Sequence, residues 1–188
     1  MADSLMRFLF DQAPVRGEVV SLDQTWQEVL QRHDYPPLLQ ALLGELMAAA
    51  ALLSATLKFD GALIMQLQGS GALQLLVVEC NADLGMRATA KWQGEIRPQP
   101  LRDLLGKGRF IITLDPQNGQ TPYQGIVELE GDSVAAILET TCCVPSSWKH
   151  ASGLPPTGTA PPACCCRNCR KATATRMPGN ARRCWPVR

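Results

Sequence analysis

The sequence predicts an α+β domain, with mostly antiparallel strands packed around one buried central helix at about residues 37–57. Three observations carry that expectation. Residues 36–59, PPLLQALLGELMAAAALLSATLKF, are apolar on nearly every face. A helix of that kind has to be buried or to span a membrane. Short apolar or alternating runs follow it, separated by Gly, Asn and Asp turns that read as strand punctuation. At residue 140 the composition changes abruptly and the periodic pattern ends.

The central run is rich in Leu, Ala and Met, the strongest helix formers. Pro36 and Pro37 suit a first turn, where the missing N–H would lack a partner anyway. The run is about long enough to span a bilayer, since about 20 residues suffice. Glu45 would then lie inside the span, no second apolar span exists, and Lys58 and Asp60 lead straight into strand-like sequence. A buried core helix is therefore expected, and no membrane association.

Upstream, RFLFD (7–11) is a short apolar opening, and VRGEVVSL (15–22) reads as a strand. Ser21 and Gln24 fit a capping box for a helix over 22–33. Trp26, Val29, Leu30 and His33 share one face of it by spacing. No partner motif accompanies His33, so a capping or packing role is expected. Downstream, strands are expected over 62–68, 73–80, 86–93, 109–114 and 123–130. Gly69-Ser70-Gly71 is a turn between the first two. A short helix is expected over 100–105, and another from 133, with an N-cap supplied by 131–133.

The break at 140 divides two kinds of sequence. Residues 1–139 hold 10 basic and 17 acidic residues, a balance of −7, while 140–188 hold 8 basic and none acidic, a balance of +8. The second part carries seven of the eight cysteines and a single Leu, with no Ile, Phe or Tyr. Such a segment cannot build an apolar core. The first part has the composition of an ordinary globular domain. Its Met1 start lacks a basic region followed by a long apolar run, so no signal peptide is expected and a cytoplasmic location follows.

Chemistry-bearing motifs are sparse. Cys166 and Cys169 form a C-x-x-C beside Cys164 and Cys165, with Cys142, Cys143 and Cys184 elsewhere in the tail. Zinc knuckles need four ligands closing a tetrahedron. Here one knuckle stands without an apolar frame, so Cys166 and Cys169 read as a decoy and no metal site is assigned. The basic tail could attract nucleic acid electrostatically, yet only Trp148 and Trp185 are interleaved with its charges, and no nucleic-acid partner is expected. Cys80, in or near a strand, reads as a small buried hydrophobe. There is no Ser/His/Asp set, phosphate loop or dinucleotide fingerprint, so no enzyme is expected.

Several stretches together identify a family. LKFDGALIMQLQGSGALQLLVVEC (57–80), RATAKWQGEI (87–96), LLGKGRFIITLDP (104–116) and YQGIVELEGDSVAAILE (123–139) resemble heat shock protein 33, the redox-regulated bacterial holdase also called the 33 kDa chaperonin. RFLFDQAPVRGEVVSL and HDYPPLLQALLGEL fit the same family, so the resemblance covers about 7–139. It implies an ATP-independent chaperone that binds unfolding client proteins under oxidative and heat stress, with a homodimer on activation. It also implies a C-terminal switch domain in which four cysteines hold zinc when reduced and pair when oxidised. Thiolates are the ligands, so oxidation removes them.

The family pattern departs at Thr140. A family helix should continue after AILE with a string such as Asp-Tyr-Met-Leu-Arg-Ser-Glu-Gln. The codons GAC TAC ATG CTG CGT TCC GAG CAG C, read from their second base, give the TTCCVPSS found at 140–147. Residues 164–170, written TGC TGC TGC AGA AAC TGC CGG, give Leu-Leu-Leu-Gln-Lys-Leu-Pro when read one base earlier. Residues 170–180 likewise become Glu-Gly-Asp-Gly-Asp-Pro-Asp-Ala-Trp-Glu. The expectation is a substrate-binding domain over 1–139, incomplete at its C-terminal end, then an out-of-frame, disordered tail over 140–188. The zinc switch domain is absent, and no zinc is expected to bind natively. A genuine basic tail is the alternative for 140–188. The rival function is a basic, cysteine-rich zinc or nucleic-acid module fused to a β domain, which would require bound zinc and salt-dependent DNA binding. Client-binding residues are not singled out by the sequence.

Overall fold

The computed structural model describes residues 2–11, 16–57, 60–116, 119–127, 129 and 131–143. Strands β1 (Ser4–Leu9) and β2 (Arg16–Ser21) form an antiparallel two-stranded ribbon. Helices α1 (Asp23–Arg32) and α2 (Pro37–Thr56) follow, then β3 (Gly61–Gln68), β4 (Leu73–Asn81) and β5 (Met86–Trp92). Helix α3 (Leu101–Leu105), β6 (Arg109–Pro116), β7 (Tyr123–Val127) and α4 (Val134–Cys143) complete the order. The larger sheet is antiparallel throughout, in the order β5-β4-β3-β6-β7. The expected α+β class holds, with β3–β4–β5 as a meander and β6 returning to the far edge of β3.

Helix α2 is the core element. Leu39, Leu43, Leu46, Met47, Ala49 and Ala50 are fully buried, against Leu63, Met65, Leu67, Leu76, Val78, Cys80 and Phe110 of the sheet. The strand residues alternate, as one buried sheet face requires. Each Leu buried in this way contributes about 1.5–3 kcal/mol of transfer free energy. By length and composition α2 could cross a membrane; its burial within the domain is that of a core helix. Helix α1 packs on α2 at Gly44, where a Cβ would sit 3.6 Å from the Trp26 ring, an ordinary van der Waals contact.

Glu45, the acidic residue of α2, has a structural task. Its Oε1 accepts the N–H of Ala135, at 3.2 Å, in the first turn of α4. Ser133 Oγ accepts the N–H of Ala136, also at 3.2 Å. Two of the four N–H groups that open any helix are thus satisfied, and the N-cap expected from 131–133 is Ser133.

Several expectations are corrected. The run 7–11 belongs to a strand that starts at Ser4, because it pairs with β2 from Ser4↔Ser21 to Leu9↔Arg16. The Ser21/Gln24 capping box does not form: Ser21 is the last residue of β2, and the N-cap position, Leu22, makes no side-chain cap. Asp3 caps the helix instead. Its Oδ1 accepts the Gln24 N–H at 2.7 Å and its Oδ2 the Thr25 N–H at 3.0 Å, with the Thr25 hydroxyl also donating to Oδ2. His33 is exposed at the C-cap, in extended conformation, with its ring 5.6 Å from that of Tyr35. Strand β7 is described over Tyr123–Val127, positions 128 and 130 of the expected run lying outside the described residues, and β6 runs on to Pro116. Helix α4, expected from 133, runs past the change of composition at 140: its backbone stays helical through Cys143, because a helical start propagates at low cost per residue once nucleated. The tail from 144 onward, with Cys166 and Cys169, lies outside the described residues.

Candidate functional site

The two faces of the β1–β2 ribbon differ in kind. Register places Arg7 opposite Glu18 on the inner face and Met6 opposite Val19 on the outer one. Inside, Arg7 Nε lies 3.1 Å from Glu18 Oε1, and the Glu18 side chain is only 1% exposed. Arg7 Nη2 also donates to the carbonyl of Ala55 in the last turn of α2. That carbonyl has no partner within the helix, and a cation near a helix C-terminus is favourable. Thr56 Oγ1 lies 2.9 Å from Leu52 O and 3.3 Å from Glu18 Oε2, and it has one proton to donate between them. A charge pair of this kind, partly withdrawn from water, holds the ribbon on the end of the core helix.

The outer face is apolar and open. Phe8 lies across Gly17, where a Cβ would come within 2.2 Å of its ring. Phe8 and Phe10 meet edge to face, with centroids 5.5 Å apart. Met6 is 61% exposed, Phe8 44%, Phe10 47% and Val19 49%. Of the seven large apolar side chains exposed among the described residues, Met6, Phe8, Phe10 and Val19 share this side of the ribbon; Leu9, opposite Arg16, lies on the other face at the end of β1, and Leu84 and Ile126 lie elsewhere. Clustering of that sort marks an interaction surface, whereas single exposed apolar residues do not.

The sequence-derived site residues fall elsewhere. Cys80 is fully buried in β4, and burial pushes its thiol pKa up, so it stays protonated and unreactive near neutral pH. Among the described residues no three His, Cys, Asp or Glu side chains come together to hold a metal. These residues therefore do not fit the zinc that the family resemblance implies. Along the chain RFLFD reads as a bare apolar opening, which hides the ribbon face. The i, i+2 spacing of Met6, Phe8 and Phe10 is the signal that reveals one apolar strand face.

With the geometry in hand, comparisons with known proteins fix the lineage. The model of the Hsp33 protein family matches residues 3–140. The chain belongs to the Hsp33 family. It is 57% identical over 141 residues to the 33 kDa chaperonin of Methylobacillus flagellatus, covering 74% of this chain and 48% of that protein. The 33 kDa chaperonin of Chromobacterium violaceum is 58% identical over 140 residues, covering 73% and 47%. The crystal structure of the Thermotoga maritima 33 kDa chaperonin shares the fold, with TM-score 0.63 at 20% identity, over 76% of this chain and 51% of that one. The chain thus spans about half the length of the relatives it matches, and the family match ends where the composition changes.

Proposed function

We propose that residues 1–143 form the client-contacting part of an ATP-independent, redox-regulated holdase, and that the outer face of the β1–β2 ribbon is a contact surface for unfolding proteins. The observation that carries this reading is the open apolar patch of Met6, Phe8, Phe10 and Val19. Unfolding clients expose apolar segments, and burying these against such a patch supplies free energy without nucleotide hydrolysis. The family relationship supports a chaperone role and client proteins as partners; a homodimer on activation and a cytoplasmic location belong to the same proposal.

The redox switch belongs, on this reading, to coding sequence that the 140–188 tail replaces. Purified chain as written should then bind essentially no zinc, and resequencing the gene across codon 140 should find one missing base. An intact reading frame there would sink the out-of-frame reading, leaving a switchless chain with a genuine basic tail.

The holdase reading is tested by light scattering from a thermally unfolding client. The chain should suppress aggregation equally with and without ATP. The Phe8→Ser/Phe10→Ser double variant should lose most of that protection while its near-ultraviolet circular dichroism, from Trp26 and Trp92, is unchanged. Full protection by a folded double variant would move client contact off the ribbon.

A further inference from the structure

We propose that one end of the large sheet is a binding surface for linear polyphosphate, a chain of phosphates that carries no bases. The proposal is independent of the holdase reading and uses none of the ribbon residues.

Antiparallel pairing brings the last residues of β3 and β5 and the first residues of β4 and β6 to the same end of the sheet. The chain crosses this end through the 69–71 turn and through α3. The two crossings are fastened together. The Ser70 and Gly71 N–H groups donate to Leu105 O, at 2.8 and 3.0 Å, and the Lys107 N–H donates to Ser70 Oγ at 3.2 Å. Side chains carried here stand on a fixed frame.

Their charge is opposite to that of the rest of the domain. Residues 91–109 hold 5 basic and 2 acidic residues, a balance of +3, while the remainder of 1–139 holds 5 basic and 15 acidic, a balance of −10. Of the two acids, Glu95 is taken by Arg97 at 3.1 Å, and Asp103 is a single exposed carboxylate on α3. Glu128 and Glu130, which follow β7, lie outside the described residues. Arg102 donates to Leu129 O. Lys91, Lys107 and Arg109 are exposed, and their side chains have no ion pair or hydrogen bond among the described residues; of the other described Lys and Arg side chains, Arg32 alone shares that condition. Solvated surfaces ordinarily mix both signs. An uncompensated basic island on an acidic domain draws anions to itself.

Register lays the island out as a line. Lys91 lies opposite Leu75, Leu75 opposite Gln68, and Gln68 opposite Arg109, so one row crosses four strands. The row is on the open face, because the alternate residues Leu67, Leu76 and Phe110 are fully buried on the other. Three strand spacings put Lys91 and Arg109 roughly 14 Å apart along the row, with Lys107 two residues before Arg109. That separation suits an extended polymer and exceeds what a single phosphate ion could bridge.

The absence of stacking surface separates the classes of polymer. Single-stranded nucleic acid is gripped by aromatic side chains on which bases stack. Among the described residues the aromatics at this end are turned inward: Phe110 is fully buried, and Trp92 packs on the core with its ring 5.8 Å from that of Tyr35. A base would find nothing to stack on, so the row addresses phosphates alone.

Binding of a fluorescein-labelled linear polyphosphate to the 188-residue chain, followed by anisotropy at several salt concentrations, tests the assignment. Residues 140–188 also carry 8 basic residues, so the comparison is between variants that share them. Lys91→Gln/Lys107→Gln/Arg109→Gln should bind about tenfold or more weakly at low salt, with unchanged near-ultraviolet circular dichroism. Its plot of log K against log salt should be shallower by about 2, at about 0.7 per lost phosphate contact. Arg32→Gln, which removes the unpartnered cation elsewhere, and Phe8→Ser/Phe10→Ser should both bind like the parent chain. Absence of binding, a triple variant that binds like the parent because the tail alone holds the polymer, or an equal loss in Arg32→Gln would each overturn the proposal. So would tighter binding of a single-stranded oligonucleotide of equal charge, since nucleic acid would then be the ligand.

Discussion

Glu45 and Ala135 are joined across 90 positions of sequence by one hydrogen bond, from the backbone N–H of α4 to the carboxylate of the core helix. The acid that looked out of place in an apolar helix is the cap of another helix. Removing it by Glu45→Ala strips a charged acceptor from a helix N-terminus, which costs about 1–2 kcal/mol. Glu45→Gln keeps an acceptor oxygen and should lose less than half of that. Urea unfolding followed by tryptophan fluorescence compares them; equal stability of Glu45→Ala and the parent chain would refute the capping role.

Asp3 should make stability depend on pH at the acid end. Hydrogen bonding, chiefly from the Thr25 hydroxyl, holds its carboxyl below the usual carboxylate range. The folded state thus favours the charged form. Its contribution is present above the unfolded value, about 3.9, and is lost as pH falls through the lower folded value. Asp3 is exposed, so screening by solvent and salt should keep the effect under about 1 kcal/mol. Asp3→Ala should destabilise α1 at pH 6 and converge with the parent chain near pH 2; a constant gap across that range would refute this account.

Two glycines should respond very differently to alanine. A Cβ at Gly71 would lie 2.4 Å from the carbonyl oxygen of Leu104, which is backbone and cannot swing away. The β3–β4 turn is also tied to α3 by Ser70 and Gly71 N–H groups donating to Leu105 O. Gly71→Ala should therefore cost about 2–4 kcal/mol, as forced backbone shifts do. A Cβ at Gly17 meets only the end of the Phe8 ring, which can rotate into solvent. Gly17→Ala should cost about 1 kcal/mol or less and raise dye binding at the ribbon. Thermal melts of both variants give the comparison, and a reversed order would overturn it.

Tyr35 is 2% exposed, and its hydroxyl has no hydrogen-bond partner among the described residues. Its ring sits 5.8 Å from that of Trp92. An unsatisfied buried hydroxyl carries a desolvation penalty of about 1–3 kcal/mol. Tyr35→Phe removes the penalty and keeps the ring contact, so the melting temperature should rise or hold. A clear fall would mean that the hydroxyl has a partner.

Much of this protein is legible along the chain. The apolar run at 37–57, the alternation of β3–β7 and the turn residues between them all record burial with a local period. Family membership was legible for a similar reason, since the matching stretches are contiguous. The break at residue 140 is likewise a matter of composition. What only the tertiary structure decided is which distant groups meet. Asp3 caps a helix 21 residues away while Ser21, the nearer candidate, is spent in a strand. Arg7 and Glu18 turn inward and thereby force Phe8 and Phe10 outward, so the exposed surface follows from a charge pair that no periodicity reveals. Burial leaves a pattern in sequence because it repeats every two or three to four residues. A single polar contact between remote segments does not repeat, and only the folded chain brings its two halves together.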